Sequence, residues 1–420
     1  MSRRLLSPGV LVSALVAGAA LASGGAAAGP SASMALERLA QPVKCRPGSV
    51  RAVIGGRATC LRTGVPCRAL FAAQYRKYGF DCTKGRLAKA PKAPAPKPAS
   101  YPRVPPLPAG PETTIVTMPP ATPLPPGTAT LALAGRYAPD ANELAVASDS
   151  VWVAGAFRID PATNRVSGPF TQAEAQDVGA GDGSVWASDY DGATVRRFDA
   201  VTGKQLAAVR LPLGATPEGI AVAGGAAWVA SHHGGALIRI DAQTNQVAAT
   251  VVLVPPGRNG PQGVAAGLGS VWVGVASANA VFRIDPAANA IAAIIPLPTS
   301  IGPCGGIAVG AGAVWVTSCL DGTKIARIDP ATNTVASVLE VGGEVIQPAA
   351  DGNSVWFVAS ADPDANANAP AYLLRLRSDD TVATRIRLPD GSITGGVAVA
   401  FDSVWLSEFR TPHVIRVTPR

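Results

Sequence analysis

Histidine is nearly missing from this chain, with three residues in 420. The HExxH pair of zinc hydrolases does not occur, and neither do a Walker phosphate loop or a Ser nucleophile elbow. No Ser-His-Asp set stands out either. Aromatic residues are sparse at 5%, whereas Gly (45) and Pro (38) are plentiful, which suits short strands and turns rather than long helices. Long apolar runs are lacking beyond residue 28, so the mature chain is expected to have no membrane-spanning helix. Acidic residues are almost absent from one region only. Residues 29–130 hold 15 Lys and Arg against 3 acids, a charge of +12, while residues 131–420 hold 19 against 25, a charge of −6. The basic character is therefore confined to a small N-terminal part. It suits an acidic envelope polymer or anionic headgroup, and no nucleic-acid partner is expected.

What is present begins with a leader-like start. Arg3 and Arg4 precede an apolar stretch from Val10 to Ala22, and Ala26-Ala27-Ala28 fits a small-residue cleavage site. Residues 1–28 are thus expected to be a signal peptide, and the protein to be secreted or held in the cell envelope. Six cysteines in an exported chain favour disulfides over metal ligation. Four of them, Cys45, Cys60, Cys67 and Cys82, fall in a small basic module placed at 29–87. Within it Val50–Leu61 alternates around Gly55-Gly56, a hairpin signal, and Ala69–Tyr78 has helical apolar spacing ending at Gly79. So short a module needs disulfide staples, and the three connectivities of four cysteines stay open. Residues 88–127 carry 14 prolines and read as a stiff linker, on the order of 100 Å long when extended at ~3.1 Å per residue.

The remainder, 128–420, is repetitive. Trp152, Trp186, Trp228, Trp272, Trp315, Trp356 and Trp405 each follow Val or Ala, at spacings of 34, 42, 44, 43, 41 and 49 residues. Periods of this length indicate blades or solenoid units. In the fifth unit an inner strand, Gly306–Val309, turns into Ala313–Val316. A third strand then ends in Ile328-Asp329-Pro330-Ala331-Thr332-Asn333, and Thr334–Leu339 forms a fourth. The Asp-Pro start suits a type I turn, and Asn333 suits the left-handed residue that closes a bulged hairpin. The device recurs at Ile159–Asn164, Ile240–Asn245 and Ile284–Asn289, and Gly203 replaces the Asn in the second unit. Seven units of four strands predict an all-β, seven-bladed propeller. The last unit stops one strand short after His413–Thr418, and Thr128–Ala134 is the predicted outer strand that closes it.

Pro217-Glu218-Gly219-Ile220-Ala221-Val222 with Ala227-Trp228 resembles the repeat of streptogramin (virginiamycin B) lyases. The Ile-Asp-Pro-x-Thr-Asn hairpins resemble YVTN-type repeats of surface propellers. The cysteine-rich module resembles small modules joined to secreted bacterial domains. The lyase resemblance implies a base His at the P-x-G position, a Glu two residues earlier and another three after the Trp, the acids holding magnesium. This sequence departs from that set. Blade 7 keeps Glu408 but has Gly395 and Ile393 at the other two places, and blade 3 has Glu218 beside Thr216 and Ser231.

The channel mouth is the expected site. Position ten before each Trp reads Asn142, Gln176, Glu218, Gln262, Gly305, Ile346 and Gly395, so a polar arc on blades 1–4 is the candidate ligand-binding set. Asp189 and Glu408 lie three residues after their tryptophans and, with His232, are the candidate catalytic residues. The pair His232-His233 precedes Gly234-Gly235 and reads as a solvated hairpin loop, and His413 reads as structural. Cys304 and Cys319 come opposite one another if Ala311-Gly312 is the turn, which predicts a cross-strand disulfide. The insertion 361–370 places Asp362 and Asp364 with Asn366 and Asn368 at alternate positions, like calcium ligands, but lacks the turn glycine and the closing acid. No cofactor is required; magnesium or calcium would suit these acids. The sequence is read as a secreted binding or scaffold module for an extracellular carbohydrate, peptide or protein. The alternative is a divergent lyase-like or metal-assisted hydrolytic enzyme.

Overall fold

The computed structural model describes residues 45–90, 101–133, 143–153, 157–171, 175–257, 259–304, 306–320, 322–345, 347–360, 369–389, 392, 394–408 and 411–419. The chain divides into two compact units, Met1–Ala99 and Ser100–Arg420. The expected leader at 1–28 lies outside the described residues.

In the first unit Val50–Ile54 pairs with Arg57–Leu61, and both turn glycines take positive φ, +57° at Gly55 and +78° at Gly56. That is the conformation a two-residue hairpin of this hand requires. A 3-10 turn at Ala69–Phe71 runs into a helix at Ala72–Arg76. A second hairpin, Phe80–Thr83 with Arg86–Lys89, completes the module. Ala52, Leu61, Tyr75, Phe80 and Leu87 are its buried apolar residues. That core is small, and two crosslinks reinforce it: Cys45–Cys60 and Cys67–Cys82. Each spans 15 residues, a loop whose closure is worth roughly 3 kcal/mol against the unfolded chain. Disulfides of this kind fit an oxidising, extracellular compartment. Among the described residues no helix is long and apolar enough to cross a membrane.

The second unit is the seven-bladed propeller. Its inner strands are Leu144–Val146, Val178–Gly181, Pro217–Ala223, Pro261–Gly267, Ile307–Gly310, Ala349–Ala350 and Thr394–Ala400. Each packs against the next, and the seventh packs against the first. The ring is closed as the repeat requires: Ala129–Ala132 pairs antiparallel with His413–Val417, with Ala132 opposite His413. The seven tryptophans are buried to 3% exposure or less. Each lies against the following blade. Trp228, for instance, packs with Val264, Val273 and Phe282 of blade 4, and Trp405 with Val151, Phe157 and Ile159 of blade 1.

A second interaction joins the blades at their outer turns. Opposite each Trp on the third strand stands an arginine, and in six blades its guanidinium lies over the indole at 4.8–6.0 Å. In three of these blades it also reaches the outer turn of the next blade. Arg283 donates to Pro330 O at 2.7 Å and to Asn333 Oδ1 at 2.9 Å, and Arg416 closes the ring on Pro161 O and Asn164 Oδ1. Arg197 does the same with Ala242 O and Asn245 Oδ1. The turn asparagines have φ of +53° to +57°, so at Asn164, Asn245 and Asn333 one residue supplies both the left-handed turn and the arginine's acceptor.

Residues 101–127, read from composition as part of a linker, run along the propeller rim. Thr113–Ile115 adds a fifth, parallel strand beside Val338–Glu340 of blade 5. Val116 is buried against Leu339 and Val341. Thr122 then bridges to the outer strand of blade 6, donating to Arg385 O and accepting from Arg387 N at 2.8 Å each. The prolines fit here because an edge position needs few backbone donors.

Candidate functional site

Glu218 is the second residue of the blade 3 inner strand, inside a register shift between Pro217 and Ile220. Such a bulge re-aims a side chain. Gly219 follows because the neighbouring inner strand comes too close for a side chain: a Cβ there would collide with the Gln262 carbonyl oxygen. That approach brings Gln262 of blade 4 alongside, and its Nε2 donates to Glu218 Oε1 at 3.1 Å. His232 enters from the end of the second strand of the same blade. Its backbone N donates to Thr216 O at 2.9 Å, and that of His233 to Thr216 Oγ1 at 2.7 Å. These bonds fold the His-His segment back over the inner strand, so His232 is buried at 8% exposure. The expectation of a solvated loop is corrected for His232 and holds for the exposed His233.

The His232 Nδ1 stands 3.1 Å from Glu218 Oε2, at ion-pair distance but not aligned as a hydrogen bond. The imidazole also hydrogen-bonds the Pro261 carbonyl. Burial pushes the His232 pKa down. Burial likewise pushes the Glu218 carboxyl up, against the opposing pull of the Gln262 donor and the His233 ring. Both groups are thereby driven toward their neutral forms. A carbonyl only accepts, so an imidazole N–H is committed to Pro261, which leaves Nδ1 as the unprotonated nitrogen facing Glu218. Tyr190 of blade 2 bonds Thr216 and sits edge-on to His233, ring centroids 6.1 Å apart. Burial first, and the Glu218 charge second, raise its phenol.

Beside this group lies one that the sequence reading passed over. Gln347 of blade 6 donates to Glu143 Oε1 of blade 1 at 2.7 Å. Asp177 of blade 2 accepts from Val178 N at 2.6 Å and from Ile220 N of blade 3 at 2.8 Å. Burial raises Glu143 well above the usual carboxylate range, with the Asp177 charge adding to it. Burial also raises Asp177 to about 7, although its two backbone donors favour the charged form. All three residues occupy position nine before their tryptophans, where blades 3, 4, 5 and 7 have Gly219, Gly263, Gly306 and Gly396. Three polar side chains replacing a repeated glycine was the readable signal.

The other candidates are scattered. Gln176 is exposed and meets Ser188 O through its backbone N. Asp189 accepts from Gly192 N in its own turn and pairs with Arg196 at 3.3 Å. Glu408 accepts from Ser392 Oγ at 3.2 Å and Thr411 Oγ1 at 2.6 Å, with His413 Nδ1 at 3.8 Å. Asn142, Asp362 and Asp364 lie outside the described residues. Cys304 and Cys319 are bonded, their Cα atoms 5.7 Å apart, as the hairpin register predicts. The lyase-type magnesium does not fit this arrangement. Glu218 and Glu408 are engaged on different blades, and among the described residues no three His, Cys, Asp or Glu side chains converge as an ion would need.

Solved structures share this architecture. A virginiamycin B lyase from Staphylococcus aureus superposes with a TM-score of 0.58 at 19% identity, over 70% of this chain and 99% of that one. A streptogramin B lyase gives 0.57 at 20% identity, over 69% and 96%. A WD40-repeat structure gives 0.53 at 10% identity, over 69% and 97%. The likeness is one of fold. No protein-family model matches the chain, and neither does any curated protein. In this chain His232 lies four residues after Trp228 and Glu218 ten before it.

Proposed function

We propose that this protein is an exported binding module that holds a hydroxyl- or amide-bearing ligand over blades 2–4 of its channel mouth. One observation carries the reading: Glu218, half-buried, accepts from Gln262 of the next blade and has His232 within 3.1 Å, while the rings of Tyr190 and His233 stand beside it. A fixed carboxyl and amide beside ring faces suits a sugar or a peptide. The cysteine crosslinks and the leader-like first 28 residues support export. The test is a glycan and peptide array probed with the full chain and with Glu218→Ala and Gln262→Ala. Each substitution should weaken the retained ligand by about tenfold or more. Unchanged affinity in both variants would overturn the reading.

The 3.1 Å approach of His232 to Glu218 also favours a second reading, an enzyme that uses Glu218 as a proton donor. One of the lyase structures with this fold was solved with quinupristin. Mass spectrometry of quinupristin after incubation with the full chain tests that. Cleavage that is lost in Glu218→Gln would replace the binding reading with the catalytic one.

A further inference from the structure

The N-terminal module contains a groove that the channel-mouth reading leaves unused. It has a volume of about 350 Å³ and is lined by Ile54, Arg57, Thr59, Arg68, Phe71 and Tyr75, among others. The hairpin register explains its chemistry. Alternation along Arg57–Leu61 puts Leu61, Thr59 and Arg57 on one face. Leu61 is buried in the module core, Thr59 is half-buried, and Arg57 projects past the core's edge into solvent. Phe71 lies against the turn at Gly55, half-buried, and gives the groove an aromatic wall. Arg68, exposed at the start of the helical segment, stands on its rim.

The charge around the groove is one-sided. Residues 45–90 contain ten Lys and Arg and a single acid, Asp81. That acid is taken by Arg76, whose Nε lies 2.7 Å from its Oδ1. Among residues 45–90 no other carboxylate remains for Arg57 or Arg68. A guanidinium pair beside an aromatic wall matches a chain of sugar rings bearing carboxylates: the forks bind the carboxylates and the ring faces take the pyranose C–H surface.

We propose that this groove binds an anionic polysaccharide of the uronate type, independently of the channel mouth. A polymer offers one carboxylate per ring, so several module cations engage one chain, and binding weakens as salt rises.

The experiment uses the full chain against immobilised polygalacturonate, with neutral dextran and single-stranded DNA as comparison surfaces. Arg57→Gln with Arg68→Gln removes the two groove charges, and Lys84→Gln with Lys89→Gln removes two charges outside the lining. Both variants keep all six cysteines, and disulfide formation is checked by mass. The groove pair should lose about tenfold or more in affinity for polygalacturonate, and the outer pair only a few-fold. Equal losses in the two variants, equal retention on dextran, or binding to DNA as tight as to polygalacturonate would each overturn the proposal. The array test at Glu218 concerns the other unit, so either result stands without the other.

Discussion

The turn residue that closes each outer hairpin has two duties, and the second unit shows what happens when one is dropped. Gly203 adopts φ +71° but has no side chain for Arg158, which turns to Ala200 O and Asp149 instead. The reason is steric. The Phe170 ring occupies the space a Cβ at Gly203 would need, and it packs on Trp152 with centroids 5.4 Å apart. Restoring the repeat's usual residue with Gly203→Asn should therefore destabilise the propeller by about 1–3 kcal/mol, read by urea unfolding, although it gives Arg158 an acceptor. Blade 3 shows the opposite defect. Ser184, Ser270, Ser354 and Ser403 each accept from the stacked arginine's Nε in their blades, but blade 3 has Ala226 there. Arg239 Nε and the facing Asn289 Oδ1 are both buried without a partner. Ala226→Ser supplies the missing hydroxyl, and a gain of about 1 kcal/mol in unfolding free energy is expected.

At the level of elements, the rim segment is the part that composition hid. Its strand is three residues long, Thr113–Ile115, among prolines, too short for alternation to register. Val116→Asp places a charge in the buried cleft beside Leu339 and Val341. It should release the segment at a cost of about 2–3 kcal/mol and open 101–127 to limited proteolysis, with the blades intact by circular dichroism. The blades, by contrast, were legible, because seven Val/Ala-Trp pairs and five Asp-Pro or Asp-Ala turns repeat one geometry. The site was legible only in part. Glu218 and Gln262 meet because adjacent inner strands touch, which the period implies. The descent of His232 onto Glu218 depends on Thr216 holding a loop, and no spacing rule carries that. The module's hairpin was marked by its glycines, but the pairing of its cysteines needed the folded chain.

For the molecule as a whole, the buried channel acids set a pH response opposite to that of the turns. Asp160, Asp199, Asp241, Asp329 and Asp379 are held below the usual range, first by donors in their own turns. They favour the fold above the unfolded pKa of about 4, and that support is lost in acid. Glu143 and Asp177 are raised, so the folded state keeps protons that the unfolded chain has released. Their contribution is full below about pH 4 and is lost as pH climbs toward the folded value of about 7 for Asp177. Glu143→Gln removes one ionisable member and keeps an acceptor for Gln347. Melting temperatures from pH 4.5 to 8 should fall more steeply with rising pH in the parent than in this variant. Parallel curves would show that the channel acids do not titrate as buried groups.

The seam between 129–132 and 413–417 also orders events in time. A ribosome makes the first half of that seam almost three hundred residues before the second, so no nascent intermediate has a closed ring. A product stalled before residue 413 leaves Leu131 without its opposite strand and the Trp405 face without its final cover, an exposed apolar signature that quality-control proteases are suited to remove.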